Sequence, residues 1–376
     1  MEKDKIIFFG RLPPPSTGEN IVSETIVRIL REKHSVDRLD ISPGYIKKEG
    51  LYNKAAYYIK QICIIISAYY KLYFLVRKQQ FGYLYFSGSS TSKARFIDFF
   101  LLKIAGRKIS RVICHLHNST YKNIFLDKDP LGVTRYLIKS IDTYICLSKN
   151  LSNELSAFIP AEKRTVLSNM IDRQIILSGE EFESKLQERA GANTYIITYI
   201  SNFIVSKGYK DLAGALFLIP AELRQKIKVR FIGAWVESGV EKQKFIEYIN
   251  NPAIKESIEY IGPVYNRPEI KRLLIESDIF CLPTYYPVEA QPLCIIEAMN
   301  AGNAIISTWH ASIPEYITDG QEGLLVQKRD IKGLAAAIVA LCNREKLPFF
   351  AKNSRTNYLD NFDEQKIKIE LEKIFA

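Results

Sequence analysis

Short β-rich runs alternate with helical stretches along the whole of this 376-residue chain, and the alternation is interrupted once. In the first half the strand-like runs fall at residues 5–9, 83–86, 111–116 and 143–147, with helices between them. Such alternation builds a parallel sheet with helices on its faces. Around residues 169–178 the pattern weakens, a charged stretch follows at 180–189, and the scheme restarts at Tyr195. The second series has strands at 195–200, 229–233, 258–261, 279–283 and 304–307. Helices fall between and after them at 210–218, 241–249, 268–276, 292–301 and 331–341. A chain of this length exceeds what one core serves well. The expected organisation is therefore two doubly wound, Rossmann-like α/β domains, 1–178 and 190–357, with a helix in 358–376 completing the first. In such sheets ligands bind beyond the carboxyl ends of the strands, so chemistry is sought in the loops that follow them.

Composition narrows the function classes. Hydrophobic residues form 47% and charged residues 25% of the chain, the balance of an ordinary water-soluble globular protein. The six cysteines are dispersed and form no C-x-x-C pair, so they read as reduced core residues. His115 and His117 lack the cysteine or carboxylate cluster that a structural zinc needs, and no metal or cofactor is expected. The first residues carry Glu2, Lys3, Asp4 and Lys5 before a five-residue apolar strand, without the apolar region of a signal peptide. A cytoplasmic protein is expected. The most apolar stretch, 62–76, is interrupted by Lys71 and falls short of the roughly 20 residues of a membrane span, which predicts a buried helix.

Net charge is +11 and unevenly placed. Residues 1–173 hold 28 Lys and Arg against 15 Asp and Glu, or +13, and the remainder 24 against 26, or −2. A basic half attracts nucleic acid, an anionic membrane or phosphorylated substrates. The basic residues are scattered among aromatics and helices with no recognised nucleic-acid module, so nucleic acid is not an expected partner. Lys60, Lys71 and Arg77 adjoin aromatic residues in 57–77 and suit an anionic membrane surface, with 62–66 held in the core.

The most informative segment is 278–302, DIFCLPTYYPVEAQPLCIIEAMNAG. A strand runs into a loop containing Glu289. A helix then opens at Pro292, where a missing amide hydrogen costs nothing, and stops at Gly302. The free amides around Gln291, Leu293 and Cys294 suit a diphosphate. Glu297, four residues after Leu293, projects back toward the same helix start and is placed to hold ribose hydroxyls. The alternative is a solvated stripe made by Glu297 and Asn300.

This segment resembles the E-x7-E region of the retaining glycosyltransferases of family 4. Glu289 and Glu297 have the family's spacing, and ESDIFCLPT, IIEAMNAGNAIIST and IPEYITDGQEGLLV resemble its donor-binding half. The resemblance implies a GT-B fold, two facing Rossmann-like domains with an interdomain cleft. It also places YISNFIVSKGYKDL before the first helix of the second domain, with Lys207 as the cation near the diphosphate and Gly208 in its turn. Asn202 stands where the family usually has arginine. In IEYIGPVYNRPEIKRLL, Val264 and Tyr265 fall in the loop that recognises the nucleotide base, largely by backbone. In the first half, GRLPPPSTGENIVSETI matches the family's glycine-rich loop loosely at Thr17 and Gly18, and RVICHLHNST puts His117 where a histidine approaches the donor sugar.

The implied function is a retaining hexosyltransferase. It moves a sugar from a nucleotide-sugar donor, UDP rather than GDP, to a hydroxyl of a glycan or polyprenyl-diphosphate-linked acceptor in bacterial surface polysaccharide synthesis. Glu289, His117 and Lys207 are the expected catalytic residues. Gly18, Asn202, Lys207, Val264, Tyr265, Gln291, Pro292, Leu293 and Glu297 are the expected donor contacts. A nucleotide-sugar epimerase on the same scaffold is the rival reading, and a nucleic-acid-binding protein a remoter one.

Overall fold

A parallel sheet covered by helices buries its strands on both faces, which is why strands here contain continuous apolar runs such as IIFF and IFC. The computed structural model describes residues 4–15, 17–44 and 51–376; Glu2, Lys3 and Ser16 lie outside the described residues. The chain forms two units, Met1–Met170 with Ile367–Ala376, and Ile171–Lys366.

The first unit holds six strands: β1 (Lys5–Gly10), β2 (Ser35–Asp40), β3 (Phe81–Ser87), β4 (Ile109–Leu116), β5 (Thr143–Cys146) and β6 (Arg164–Val166). They pair in parallel in the order β2-β1-β3-β4-β5-β6. The second unit holds β7 (Tyr195–Ile200), β8 (Ile227–Ile232), β9 (Ile258–Gly262), β10 (Ile279–Cys281), β11 (Ala304–Thr308) and β12 (Gly323–Val326), also parallel, in the order β12-β11-β10-β7-β8-β9. The winding direction reverses between β1 and β3 in one sheet and between β7 and β10 in the other. These switch points are where a doubly wound sheet opens a crevice.

Two of the helices of the first unit matter below. Helix α1 (Gly18–Lys33) is capped by Thr17, whose hydroxyl accepts from the Asn20 amide at 3.3 Å. Helix α2 (Leu51–Lys78) is 28 residues long, and it overturns the buried helix expected at 62–76. Ala68, Leu72 and Val76 pack into the core, but Ile59, Ile62, Ile66 and Tyr70 are each more than half exposed. The expectation failed because α2 is apolar on two opposite faces, and only one of them meets the sheet. Of its expected anchor at 62–66, Ile62, Cys63 and Ile66 are exposed and Ile64 and Ile65 half-buried.

The charged stretch expected to join the domains is instead the helix Gly179–Ala190, started by a reciprocal Ser178–Glu181 capping box. It is tied into the second unit by Lys185, whose buried ammonium donates to the carbonyls of Leu274 (3.0 Å) and Ala301 (2.6 Å) and to Asn303 Oδ1 (2.7 Å). The units meet in sequence at 170/171 rather than within that stretch. Glu297 and Asn300 are buried, and Asn300 bonds Leu177 N, Ile175 O and Arg355, so the two form no solvated stripe. The helix Leu347–Asn361 stays with the second unit through Arg355 Nη1 and Asn300 O (2.6 Å). Only the last helix, Glu364–Ile374, carries the chain back to the first.

Asp98, on α3 (Arg95–Ala105), yields a pH prediction. Its buried carboxylate accepts from Ser89 N (2.9 Å) and Ser89 Oγ (2.8 Å). Burial outweighs these bonds and raises its pKa from 3.8 to about 7. As pH rises from about 4 to about 7 the unfolded chain loses this proton while the native chain keeps it. Stability contributed here therefore falls across that window and levels above it. Chemical denaturation at pH 5 and pH 8 should show the loss, and Asp98→Asn should flatten it.

Candidate active site

The loop after β7 is built to present a lysine. Residues Val205–Lys207 form a 3-10 turn, and Gly208 follows in the left-handed region with φ 83° before the helix Tyr209–Ala215. Glu237 pins the turn, accepting from Val205 N at 2.6 Å and from the Tyr209 hydroxyl at 3.0 Å. The loop after β10 is laced to it by the Tyr285 amide, which donates to Ser206 O at 2.7 Å. Both loops leave the carboxyl ends of strands flanking the switch point of this sheet.

At their junction Lys207 Nζ lies 2.6 Å from Glu289 Oε2, with both side chains largely buried. The Thr284 hydroxyl donates to the same carboxylate oxygen at 3.1 Å, and the ammonium sits 4.6 Å from the centre of the Tyr286 ring. A third loop, after β11, braces the arrangement. His310 Nε2 is hydrogen-bonded to Tyr286 O at 2.8 Å, and Ser312 Oγ donates to Ala290 O at 2.5 Å. Sequence reasoning singled out Lys207 and Glu289 but not their pairing, and it missed Thr284, Tyr286, His310 and Ser312. The pair is a compact, largely buried ion pair at the junction of the two loops.

The helix expected at Pro292 spans Leu293–Asn300, with Pro292 as its N-cap and no side chain capping its first turn. Its dipole and uncapped amides face the loop that carries Glu289 and the buried Gln291. Glu297 is engaged by the Arg267 guanidinium, whose Nε also lies 3.5 Å from Asp172. Burial raises the Glu297 pKa and Arg267 opposes that rise. Arg267 was missed from sequence; it follows Asn266, the N-cap of the helix Arg267–Glu276, so the turn after β9 delivers it. In that turn Val264 is half-buried against the core, and Tyr265 is 58% exposed. Asn202 is exposed just beyond β7. A further cation borders these loops: Arg329 stacks 4.6 Å over the Tyr285 ring.

The first unit has its own cluster. His115 and His117 close β4 and the turn after it, with ring centroids 4.0 Å apart. His115 Nδ1 is 2.6 Å from the Tyr85 hydroxyl. Burial lowers both histidine pKa values, so the rings are neutral at pH 7, and Glu19 only partly offsets this for His117. His117 Nε2 is enclosed without a hydrogen-bond partner. Gly18, exposed, opens α1 next to Glu19, so the start of α1 and the end of β4 share one edge of this sheet. Among the described residues, no group of three or more His, Cys, Asp and Glu side chains is gathered as a metal ion would require.

Comparison with known proteins places one segment of the chain. Residues 180–356 match the family model described as "Glycosyl transferases group 1". WcaL of Salmonella typhimurium, a glycosyltransferase assigned to colanic acid biosynthesis, is 27% identical over 155 residues, 39% of this chain and 36% of that protein. The N,N'-diacetylbacillosaminyl-diphospho-undecaprenol alpha-1,3-N-acetylgalactosaminyltransferase of Campylobacter jejuni is 32% identical over 120 residues, 32% of this chain and 29% of that protein. The chain thus spans about a third of the length of these curated relatives. The crystal structure of Anabaena Alr3699/HepE in complex with UDP superposes with a TM-score of 0.71 at 16% identity, covering 98% of this chain and 99% of that one. Fold and matched segment define the class: two parallel-sheet α/β units of the GT-B type. The segment 180–356, which resembles group 1 glycosyl transferases, lies within the second unit.

Proposed function

We propose that the protein is a retaining glycosyltransferase that transfers a sugar from a UDP-sugar to a hydroxyl of a glycan or polyprenyl-diphosphate-linked acceptor in surface polysaccharide synthesis. The observation that carries this reading is the Lys207–Glu289 pair, set beside the uncapped start of the helix Leu293–Asn300 at the switch point of the matched segment. In this reading the donor diphosphate takes Lys207 from Glu289. The lysine and the helix start then stabilise the charge that grows on the leaving diphosphate. Glu289, released from its ion pair, accepts from the sugar's hydroxyls. In the first unit, His117 keeps a neutral ring with an unpartnered Nε2. The leaving phosphate accepts the acceptor's proton, so no protein base is required. Val264 and Tyr265 serve the base, Glu297 the ribose, and Asn202 and Gln291 the phosphates and sugar.

The UDP of the Anabaena complex and the undecaprenol-linked substrate in the Campylobacter enzyme's name support the choice of donor and acceptor. Calorimetry with UDP, GDP and their sugars, followed by product analysis with lipid-linked acceptors and NMR of the new anomeric centre, tests it. An isomerised donor formed without acceptor would install the epimerase reading instead. Glu297→Gln is expected to weaken UDP-sugar binding by about tenfold, because it removes a charged acceptor of hydroxyl hydrogen bonds while keeping the side chain's shape. Unchanged affinity in the folded variant would remove Glu297 from the ribose site.

A further inference from the structure

Helix α2 presents an apolar ridge outward. Ile59, Ile62, Ile66, Tyr70 and Tyr73 recur at intervals of three and four, so they align along one side of the helix. Their exposures run from 39% at Tyr73 to 66% at Tyr70. Phe74 widens the ridge, its ring 4.6 Å from that of Tyr70. Ala68, Leu72 and Val76, at most 4% exposed, hold the opposite side to the core, and Tyr69 fixes it further by donating to Ile97 O at 2.7 Å. Contiguous aromatic and aliphatic surface of this extent marks a contact with something apolar.

Charge identifies the occupant. Helix α2 carries Lys54, Lys60, Lys71, Arg77 and Lys78 and no Asp or Glu. Lys60 and Lys71 line the flank beside the ridge, where with Arg38, Asp40, Ser42 and Ser67 they border a cavity of about 460 Å³ between α2 and the end of β2, three cations against one carboxylate. Arg77 caps the ridge, 4.4 Å over the Tyr73 ring. A second copy of the chain would set the like charges of Lys60, Lys71, Arg77 and Lys78, eight in all among the described side chains, against one another along paired helices. A bilayer with anionic headgroups satisfies both the apolar ridge and its basic flank.

We propose that α2 is an in-plane membrane-docking helix: its ridge enters the headgroup and acyl boundary of an anionic membrane, and Lys60 and Lys71 receive lipid phosphates. The helix has the length and composition of a membrane span, but only 17% of its apolar window is buried in the protein, and that part is committed to the sheet. It therefore lies along the surface with one side in protein and the other in lipid. This inference stands apart from the transferase reading, since vesicle binding tests the one and UDP-sugar binding the other.

The test is co-sedimentation with vesicles of phosphatidylcholine alone and of phosphatidylcholine with phosphatidylglycerol, at low and high salt, with sedimentation velocity of the lipid-free protein alongside. The protein is expected to bind the anionic vesicles at least about tenfold more tightly than the neutral ones, less so at high salt. Ile62→Ser, Ile66→Ser and Tyr70→Ser together, all at exposed positions, should reduce binding about tenfold or more and leave the thermal midpoint unchanged. Lys60→Gln with Lys71→Gln should remove most of the preference for anionic lipid. Failure to bind anionic vesicles at low salt, wild-type binding by the triple variant, or a dimer that the triple variant dissociates would each overturn the proposal. Loss of UDP-sugar binding alone would leave it standing.

Discussion

Lys207→Ala is expected to lower kcat by about 10²–10³-fold while raising the donor Kd by less than about tenfold, because the ammonium matters most when the diphosphate is leaving. The pairing with Glu289 at 2.6 Å complicates the reading. Deleting the lysine leaves a largely buried carboxylate without its cation, at a cost on the order of 3–5 kcal/mol in stability. The double variant Lys207→Met with Glu289→Gln separates the two effects. It should recover most of the lost stability, since neither charge is then stranded, and recover none of the turnover. Calorimetry, steady-state rates and urea denaturation on the three proteins check this. Normal turnover in Lys207→Ala, with affinity alone reduced, would assign the lysine to ground-state binding.

Gly208→Ala is expected to destabilise the second unit by about 3–5 kcal/mol, among the larger effects a single methyl group produces. The backbone there has φ 83°, where alanine alone is strained by about 1–2 kcal/mol. A Cβ would also stand 2.2 Å from Pro283 O, so backbone rather than a flexible side chain must give way. Movement at Pro283 reaches Glu289 through the same loop, and turnover should fall with stability. Gly239→Ala is the control. Gly239 opens the helix Gly239–Ile249, and a Cβ added there would meet nothing within 4 Å, so the variant's midpoint in urea should stay close to the wild type.

The central strands were legible in sequence because burial on both faces leaves them mostly apolar, as in IIFF of β1 and IFC of β10. The edges were not. β2 reads SVDRLD, with only Leu39 buried, and β6 is three residues long, so neither has the apolar run that signals a strand. Helix α2 was legible as a helix but not as an exposed one: a sequence apolar on opposite faces does not state which face the sheet takes. At the site, local spacing pointed to Glu289 and the family resemblance to Lys207, and the limits of the helix came from Pro292 and Gly302. The ion pair joins positions 82 residues apart and the Arg267–Glu297 contact spans 30, distances over which no local pattern carries information. His117 was singled out, whereas the burial that keeps it neutral emerged only once β4 was enclosed.

The return of the last helix to the first unit sets an order of events during synthesis. Phe375 seats its carbonyl on the Tyr83 hydroxyl at 2.8 Å and its ring 5.1 Å from that of Tyr83, and Lys33 and Glu372 close the contact at 2.8 Å. All six strands of that unit have left the ribosome long before residues 367–376 are made. The nascent unit must wait with the His34 and Tyr83 side chains bare while the second unit is translated and folds, since domains emerging vectorially fold as units in turn. A ribosome stalled within the second unit would therefore hold a first unit lacking its final piece, and supplying 367–376 as a free peptide would complete it in trans.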